Sequence, residues 1–321
     1  MKKLLTRVLG GMASLICLVI GAVVIKFYGT LPKSRPAPVV TAPTSNEALA
    51  RGKYLVENVT GCMGCHSPVQ EVPGEPPVVG KVGAGRDFAD PTFPGKLLSP
   101  NISSDKEQGL GNWTDGEILR AMREGVSKDG RVLFPQMPYL TYAKTLSDDD
   151  ALSIIAYLRT VEPVKSVGGP AQVKFPISMF IRATPQPLTA PPPPPPPATN
   201  KLARGEWILQ VASCHDCHDS YNERHQPLPG KEFGGGMAFT TGKGTFYASN
   251  ISSDKATGIG AYSDVDLQRV FSEGKGKSGR DLYVMPWSYY RGMTAEDKEA
   301  MFVALRAQKP VQNAVPASVL K

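Results

Sequence analysis

Cys62-Met63-Gly64-Cys65-His66 and Cys214-His215-Asp216-Cys217-His218 are two copies of one pattern, C-x-x-C-H, on which the reading of the whole chain turns. The pattern is the attachment signature of c-type haem: two thiols form thioethers with the vinyl groups, and the adjoining imidazole takes one axial position on the iron. A C-x-x-C pair alone also occurs as a redox dithiol or as half of a zinc site. The first needs a βαβ setting that is absent here, and the second does not require His directly after both second cysteines. Two copies therefore point to two covalently bound c-type haems, attached through Cys62, Cys65, Cys214 and Cys217, with His66 and His218 on the iron. The fifth cysteine, Cys17, lies in an apolar N-terminal run, which leaves none for structural disulfides.

Working outward, the two motifs sit in a tandem repeat. Ala50-Arg51-Gly52 recurs as Ala203-Arg204-Gly205, Asn101-Ile102-Ser103-Ser104-Asp105-Lys106 as Asn250-Ile251-Ser252-Ser253-Asp254-Lys255, and Met137-Pro138 as Met285-Pro286, at offsets of 153, 149 and 148 residues. Helices are expected from Asn46 up to the first motif, from Thr114 to Glu124, from Ser147 through Leu158, and from Thr294 to Ala307. Thr114 with Glu117 reads as a capping box, and Asp148, Asp149 and Asp150 suit a helix N-terminus. Residues 67–100, rich in Pro and Gly, read as an irregular loop. The side-chain oxygens of the Asn-Ile-Ser-Ser-Asp loops read as Asx turns rather than a calcium site, because few acids cluster there.

The second axial ligand decides whether each haem carries electrons or binds small molecules. Of the four histidines, His66, His215, His218 and His225, none remains in the first repeat after His66. Met137 and Met285 lie 71 and 67 residues beyond the proximal histidines in matching loops, and a thioether favours the reduced iron. They are the candidate second ligands. Met12, Met63, Met122 and Met301 are explained by packing or the anchor; Met179, Met237 and Met293 have no counterpart in the repeat. His215 and His225 read as surface residues.

Residues Val8 to Ile25 carry no charge and as a helix would span about 27 Å, close to a bilayer core. Lys2, Lys3 and Arg7 precede the run, and Lys26, Phe27 and Tyr28 follow it as interfacial residues. The run exceeds a usual signal-peptide core and no small-x-small site follows, so it reads as an uncleaved single-pass anchor. Residues 1–28 are then anchor, 29–45 a Pro-rich tether, 46–163 a first domain, 164–198 a Pro-rich linker and 199–321 a second domain. Pro191 to Pro197 would extend about 22 Å as a polyproline II spacer. The net charge of +7 arises mostly from residues 1–45, with six Lys/Arg and no acid. Nucleic-acid binding therefore has no folded basic face to rest on. Lys275 and Lys277, near the Met285 loop, read as solvated charge more readily than as a steering patch.

Cys62–His66, Leu98-Ser99-Pro100-Asn101-Ile102-Ser103-Ser104-Asp105, Gly109-Leu110-Gly111-Asn112-Trp113-Thr114 and Met137-Pro138 resemble the haem domains of cytochrome c subunits of membrane-bound alcohol, aldehyde and gluconate dehydrogenases. The resemblance covers roughly residues 46–163 and 199–310. Together with the apolar N-terminal run and the tandem repeat, it gives the expected fold class: all-α, an N-terminal transmembrane helix followed by two tandem class I cytochrome c domains. It further implies electron transfer on the periplasmic side of the cell membrane with Met137 and Met285 as axial ligands, and Trp113 and Tyr262 near the haem edges. Two haem motifs instead of three, and the N-terminal anchor, depart from that family. The expected function is a dihaem carrier between a membrane dehydrogenase or quinol-oxidising complex and a terminal acceptor, working in a complex with redox protein partners. The rival is a dihaem peroxidase-type enzyme. Matching Met-Pro loops at both sites favour the carrier, because an enzyme should have one site built differently.

Overall fold

The computed structural model describes residues 2–89, 93–223 and 226–320, with side chains described from residue 7. His225 lies outside the described residues. The apolar run forms α1 (Lys2–Val24), continued by a wider turn over Ile25–Gly29. Arg7–Gly29 has a mean hydropathy of 2.7, and no residue of its apolar window is buried. Among the described residues it alone is long and apolar enough to cross a membrane. The tether beyond it is pinned to the first repeat: Arg35 pairs with Glu124 at 2.7 Å, and the Ala42 N–H donates to Asp115 Oδ2 at 2.8 Å.

The first repeat opens with α2 (Asn46–Tyr54), capped by the Ser45 hydroxyl, and a wide turn Leu55–Val59 leads into α3 (Cys62–His66). Short strands β1 (Arg86–Asp87), β2 (Gly95–Lys96) and β3 (Leu98–Ser99) follow, β1 pairing antiparallel with β3. Then come α4 (Asp115–Glu124), α5 (Tyr139–Thr145) and α6 (Asp148–Leu158). Thr114 and Glu117 form the expected capping box, and Ser147 caps α6. The segment expected as linker starts against this unit: Val164 O accepts from Asn101 Nδ2 at 2.7 Å and the Val167 N–H reaches Ala84 O at 2.9 Å. Strand β4 (Gln172–Val173) pairs with β2, and a one-turn helix, α7 (Ile177–Phe180), follows it.

Residues from Asn200 onward repeat the pattern as α8 (Lys201–Val211), α9 (Cys214–His218), β5 (Ala238–Thr241), β6 (Gly244–Tyr247), α10 (Asp264–Glu273), α11 (Trp287–Tyr290), α12 (Ala295–Ala307) and β7 (Val319–Leu320). The chain is mostly helical but not plainly all-α, because antiparallel pairings β1-β3, β2-β4 and β5-β6-β7 occupy segments outside the expected helices, with β1, β2 and β3 inside the loop read as irregular. Beta-branched and aromatic residues such as Thr245, Phe246 and Tyr247 alternate in burial along β6, a period-two pattern that short loops hide at sequence level.

The repeated Ala-Arg-Gly finds its reason where α2 crosses α6 and α8 crosses α12. A Cβ on Gly52 would stand 1.9 Å from Ser153 O, and one on Gly205 2.0 Å from Ala300 O. Only glycine lets these backbones approach so closely. The preceding arginine grips the partner helix at its first turn: Arg51 binds Asp150 through two bonds of 2.7 and 2.9 Å, and Arg204 binds Asp297 at 2.8 and 3.1 Å. Such bidentate pairs fix geometry as well as charge.

Both crossings join one continuous apolar core. Trp207 lies between the repeats, its Nε1 donating to Thr145 O at 2.9 Å, with the Arg204 guanidinium 4.7 Å and the Arg51 guanidinium 5.9 Å from its ring. The Tyr54 hydroxyl donates to Asp297 Oδ2 at 2.6 Å across the same boundary.

Gly52→Ala and Gly205→Ala are expected to cost about 1–3 kcal/mol or more through overpacking against backbone. Guanidinium-chloride denaturation of each variant measures this, and wild-type midpoints would show that the crossing tolerates a methyl. Burial raises the Asp297 pKa, but hydrogen bonds from Arg204 and Tyr54 outweigh it and leave the carboxyl below 3.8. A lowered acid contributes stability that is complete above its unfolded value and is lost as pH falls through its folded value. Acid titration of unfolding should therefore show a loss below about pH 4 that is shallower in Asp297→Asn, which is itself weaker at neutral pH.

Candidate haem sites

Each C-x-x-C-H stretch is a single helical turn entered through a left-handed residue, Gly61 at φ 60° or Ser213 at φ 56°. The turn brings both thiols and the imidazole of each motif together. His66 Nδ1 is held 2.8 Å from Pro100 O and His218 Nδ1 2.8 Å from Ser249 O. With Nδ1–H donating to a carbonyl, Nε2 is the nitrogen left to bind a metal, and the ring orientation is fixed. Burial lowers both histidine pKa values against the opposing pull of those carbonyls. The lowering favours the neutral ring, the state that ligates.

Those carbonyls are supplied by the repeated Asn loops. Asn101 Oδ1 accepts the Ser103 N–H at 2.8 Å, and Asn250 Oδ1 accepts that of Ser252 at 3.0 Å. Asp105 and Asp254 likewise accept backbone N–H groups two and three residues on. The oxygens considered for calcium are spent on Asx turns, as expected from sequence, and the turns hold the histidine's acceptor in place. The His66 and His218 carbonyls accept in turn from the Gly85 and Gly235 N–H groups at 2.8 and 2.7 Å.

The cysteines are unpaired. Burial pushes the Cys62 thiol up to about 11, and burial with nearby carboxylate and sulfur charge pushes Cys214 and Cys217 up to about 12. A redox dithiol needs one thiol depressed instead. Met137 and Met285 are half-buried against the core, each directly before a short helix, with the Met137 and Met285 carbonyls accepting from Tyr139 and Trp287 N–H at 2.8 Å. In each motif two thiols and an imidazole whose Nε2 is left for a metal are donors that suit a c-type haem.

Residues 49–162 match the cytochrome c family model. The chain carries a cytochrome c domain. It is 30% identical to the cytochrome c subunit of a quinone alcohol dehydrogenase of Gluconobacter oxydans, over 73% of this chain and 48% of that protein. It is 29% identical to a fructose dehydrogenase cytochrome subunit of Gluconobacter japonicus, over 78% and 50%. A dihaem cytochrome c-type protein of Cereibacter sphaeroides is 28% identical over 50% of this chain and 54% of its own. The chain thus spans about half the length of the curated relatives it matches.

Around the cytochrome c domain the structure adds residues that sequence reading missed. Tyr289 lies across the front of α3, so that a Cβ on Gly64 would meet its ring at 3.2 Å. Its hydroxyl is buried with no hydrogen-bond partner among the described residues. Next to it, Ser288 Oγ donates to Gly74 O at 2.6 Å, and the Gly74 N–H donates to Tyr283 O at 3.0 Å. Arg86 braces the same turn from its own repeat, bonding Gly64 O and Glu75 at 3.0 Å. The contacts of Tyr289, Ser288 and Tyr283 have no signal in the repeat, because contacts between the copies are not themselves repeated.

Trp113 and Tyr262 pack half-buried on the core, beneath Lys128 and Lys277 at 5.7 and 5.3 Å. Lys275 pairs with Asp281 at 2.6 Å and Lys277 donates to Ala261 O at 2.7 Å. Both cations are engaged locally. His215 Nδ1 lies 3.0 Å from Asp219 Oδ1, and its ring packs 4.1 Å from that of Phe233.

Because the buried Tyr289 hydroxyl has no hydrogen-bond partner among the described residues, Tyr289→Phe should leave stability unchanged or slightly raised. Tyr289→Ala should lose about 3 kcal/mol. Equal losses in both variants, read by urea denaturation, would assign the hydroxyl a role that the contact geometry does not.

Proposed function

We propose that the protein is a membrane-tethered dihaem electron relay. Two tandem cytochrome c domains, residues 46–163 and 199–321, would hold one haem each through Cys62, Cys65, His66 and Met137, and through Cys214, Cys217, His218 and Met285. The anchor at residues 1–28 and the tether at 29–45 would carry them on the periplasmic side of the cell membrane, with residues 164–198 joining them. The observation that carries this reading is that both sites are built alike, each histidine Nδ1 fixed 2.8 Å from a loop carbonyl and each methionine in a matching Met-Pro turn.

When bound, the haem iron supplies one-electron chemistry between its two oxidation states. The chain's own residues do the rest. Pro100 and Ser249 carbonyls lock each imidazole, Met137 and Met285 would offer soft thioether donors to a bound haem, and the buried Tyr142 and Tyr290 exclude water beside the attachment cysteines. A site closed on both faces resists small-molecule binding and changes little on gaining an electron. The contacts of Tyr289, Ser288 and Gly74 support a fixed docking of the two sites over a swinging one. Relatives named as subunits of alcohol, fructose and gluconate dehydrogenases support a membrane dehydrogenase as donor, passing electrons through this chain to a terminal acceptor.

Optical and EPR redox titration of the purified protein, repeated with carbon monoxide and peroxide, tests this. Two low-spin haems inert to both ligands are expected. Cys62→Ala/Cys65→Ala and Cys214→Ala/Cys217→Ala should each halve the pyridine haemochrome signal. Met137→Ala and Met285→Ala should each render one haem reactive to carbon monoxide. A wild-type haem that binds peroxide would overturn the relay in favour of a peroxidase-type enzyme.

A further inference from the structure

The relay reading leaves unexplained an exposed apolar cluster just after the first repeat. Phe175, Ile177 and Phe180 are 73%, 38% and 54% exposed, within and just before the single turn of α7. An isolated exposed apolar residue is ordinary, but three in six residues next to an apolar helix are not.

The cluster is fastened to the end of α1. The Phe180 ring stands edge-on to Phe27 with centroids 5.7 Å apart. Arg182 Nε donates to Phe27 O at 2.5 Å, its Nη2 donates to Leu31 O, and its guanidinium lies 5.2 Å from the Tyr28 ring centroid. Arg182 therefore satisfies carbonyls where the helix ends, at the level where interfacial aromatics are expected. The cluster is equally fastened to the first repeat. Strand β4 pairs with β2, the Lys174 N–H donates to Pro94 O at 2.9 Å, Met179 is buried, and Thr184 Oγ1 lies 2.6 Å from the Tyr139 hydroxyl. Tyr139 is itself fully buried two residues after Met137.

Charge identifies what this surface meets. Residues 163–198 carry Lys165, Lys174 and Arg182 and no acidic residue, and the adjoining residues 26–35 carry Lys26, Lys33 and Arg35 without an acid; Lys165 pairs with Glu107 and Arg35 with Glu124, so the rim rests on Lys26, Lys33, Lys174 and Arg182. Apolar side chains rimmed by cations, continuous with a membrane-length helix, match an anionic lipid surface.

We propose that residues 174–182 form an interfacial foot that dips into the headgroup layer of an anionic membrane, with Phe175, Ile177 and Phe180 inserted and Lys174 and Arg182 on the lipid phosphates. This rests on the reading of α1 as a membrane span. A single helix would leave the haem domains free to swing. The foot provides a second attachment, and through β4 and the Thr184–Tyr139 contact it turns the Met137 side of the first site toward the bilayer. The first haem site is then the membrane-proximal one and the second faces outward.

The test uses the full-length holoprotein in vesicles of phosphatidylcholine and phosphatidylglycerol, nitroxide-labelled at one cysteine at a time. The native Cys17 reports the anchor. Ile177→Cys in a Cys17→Ser background reports the foot, and Val265→Cys, 69% exposed on α10, serves as the aqueous control. EPR power saturation compares access of oxygen, which partitions into lipid, with access of a water-soluble nickel chelate. We expect Cys17 and position 177 both to favour oxygen several-fold over position 265. An immersed Cys17 with position 177 indistinguishable from 265 would overturn the foot and leave the anchor standing. Aqueous access at Cys17 would overturn the anchor and the foot together. Position 177 immersed equally in vesicles of phosphatidylcholine alone would overturn the role given to Lys174 and Arg182.

Discussion

Everything in the folded region depends on two helix crossings too close for any residue but glycine. Gly52 and Gly205 bring the first and last helices of each repeat together at backbone contact, and Arg51 and Arg204 lock the register by reaching the acid in the partner's first turn. The α3 and α9 turns hang from the ends of α2 and α8, so an error of one residue in either crossing would swing an imidazole away from its carbonyl. A long-range backbone contact thus sets the aim of a side chain that it never touches. The charge pairs are expensive to bury, and their worth lies in specifying one arrangement of helices.

Much of this was legible in the residues. C-x-x-C-H, the repeated Asn-Ile-Ser-Ser-Asp loop, the capping box at Thr114 and the acidic turn after Ser147 each act locally, over a few residues, and each appears in the structure where the local chemistry puts it. Ala-Arg-Gly was visible as a repeat, but its meaning was not, because its partners Ser153 and Ala300 are about a hundred residues away. The short strands escaped notice because two to four residues are too few to show a period. The contacts of Tyr289 with Gly64 and of Trp207 with Thr145 escaped for a different reason, since each occurs once in a chain whose other signals occur twice.

The linker shows how proline content can mislead about independence. Residues 164–184 contain the residues that tie the first repeat to the end of α1, and Pro196 O accepts from Arg204 Nη1 at 3.3 Å, so even the proline run ends against the second repeat. A stretch poor in regular hydrogen bonding is held here by side chains that reach in from its neighbours.

The contact of Tyr289 on Gly64 also determines which copies can face each other. Aligning the Met-Pro and C-x-x-C-H motifs sets Tyr289 opposite Thr141 in the repeat, and Gly64 opposite Asp216. In an equivalent docking, two first repeats would place the short Thr141 over Gly64 and leave a void, and two second repeats would press Tyr289 into the Asp216 side chain. Only a first repeat with a second repeat fits. Divergence at these positions has made the union of the two halves a heterodimer written in one polypeptide, and it disfavours the pairing of like halves between neighbouring molecules.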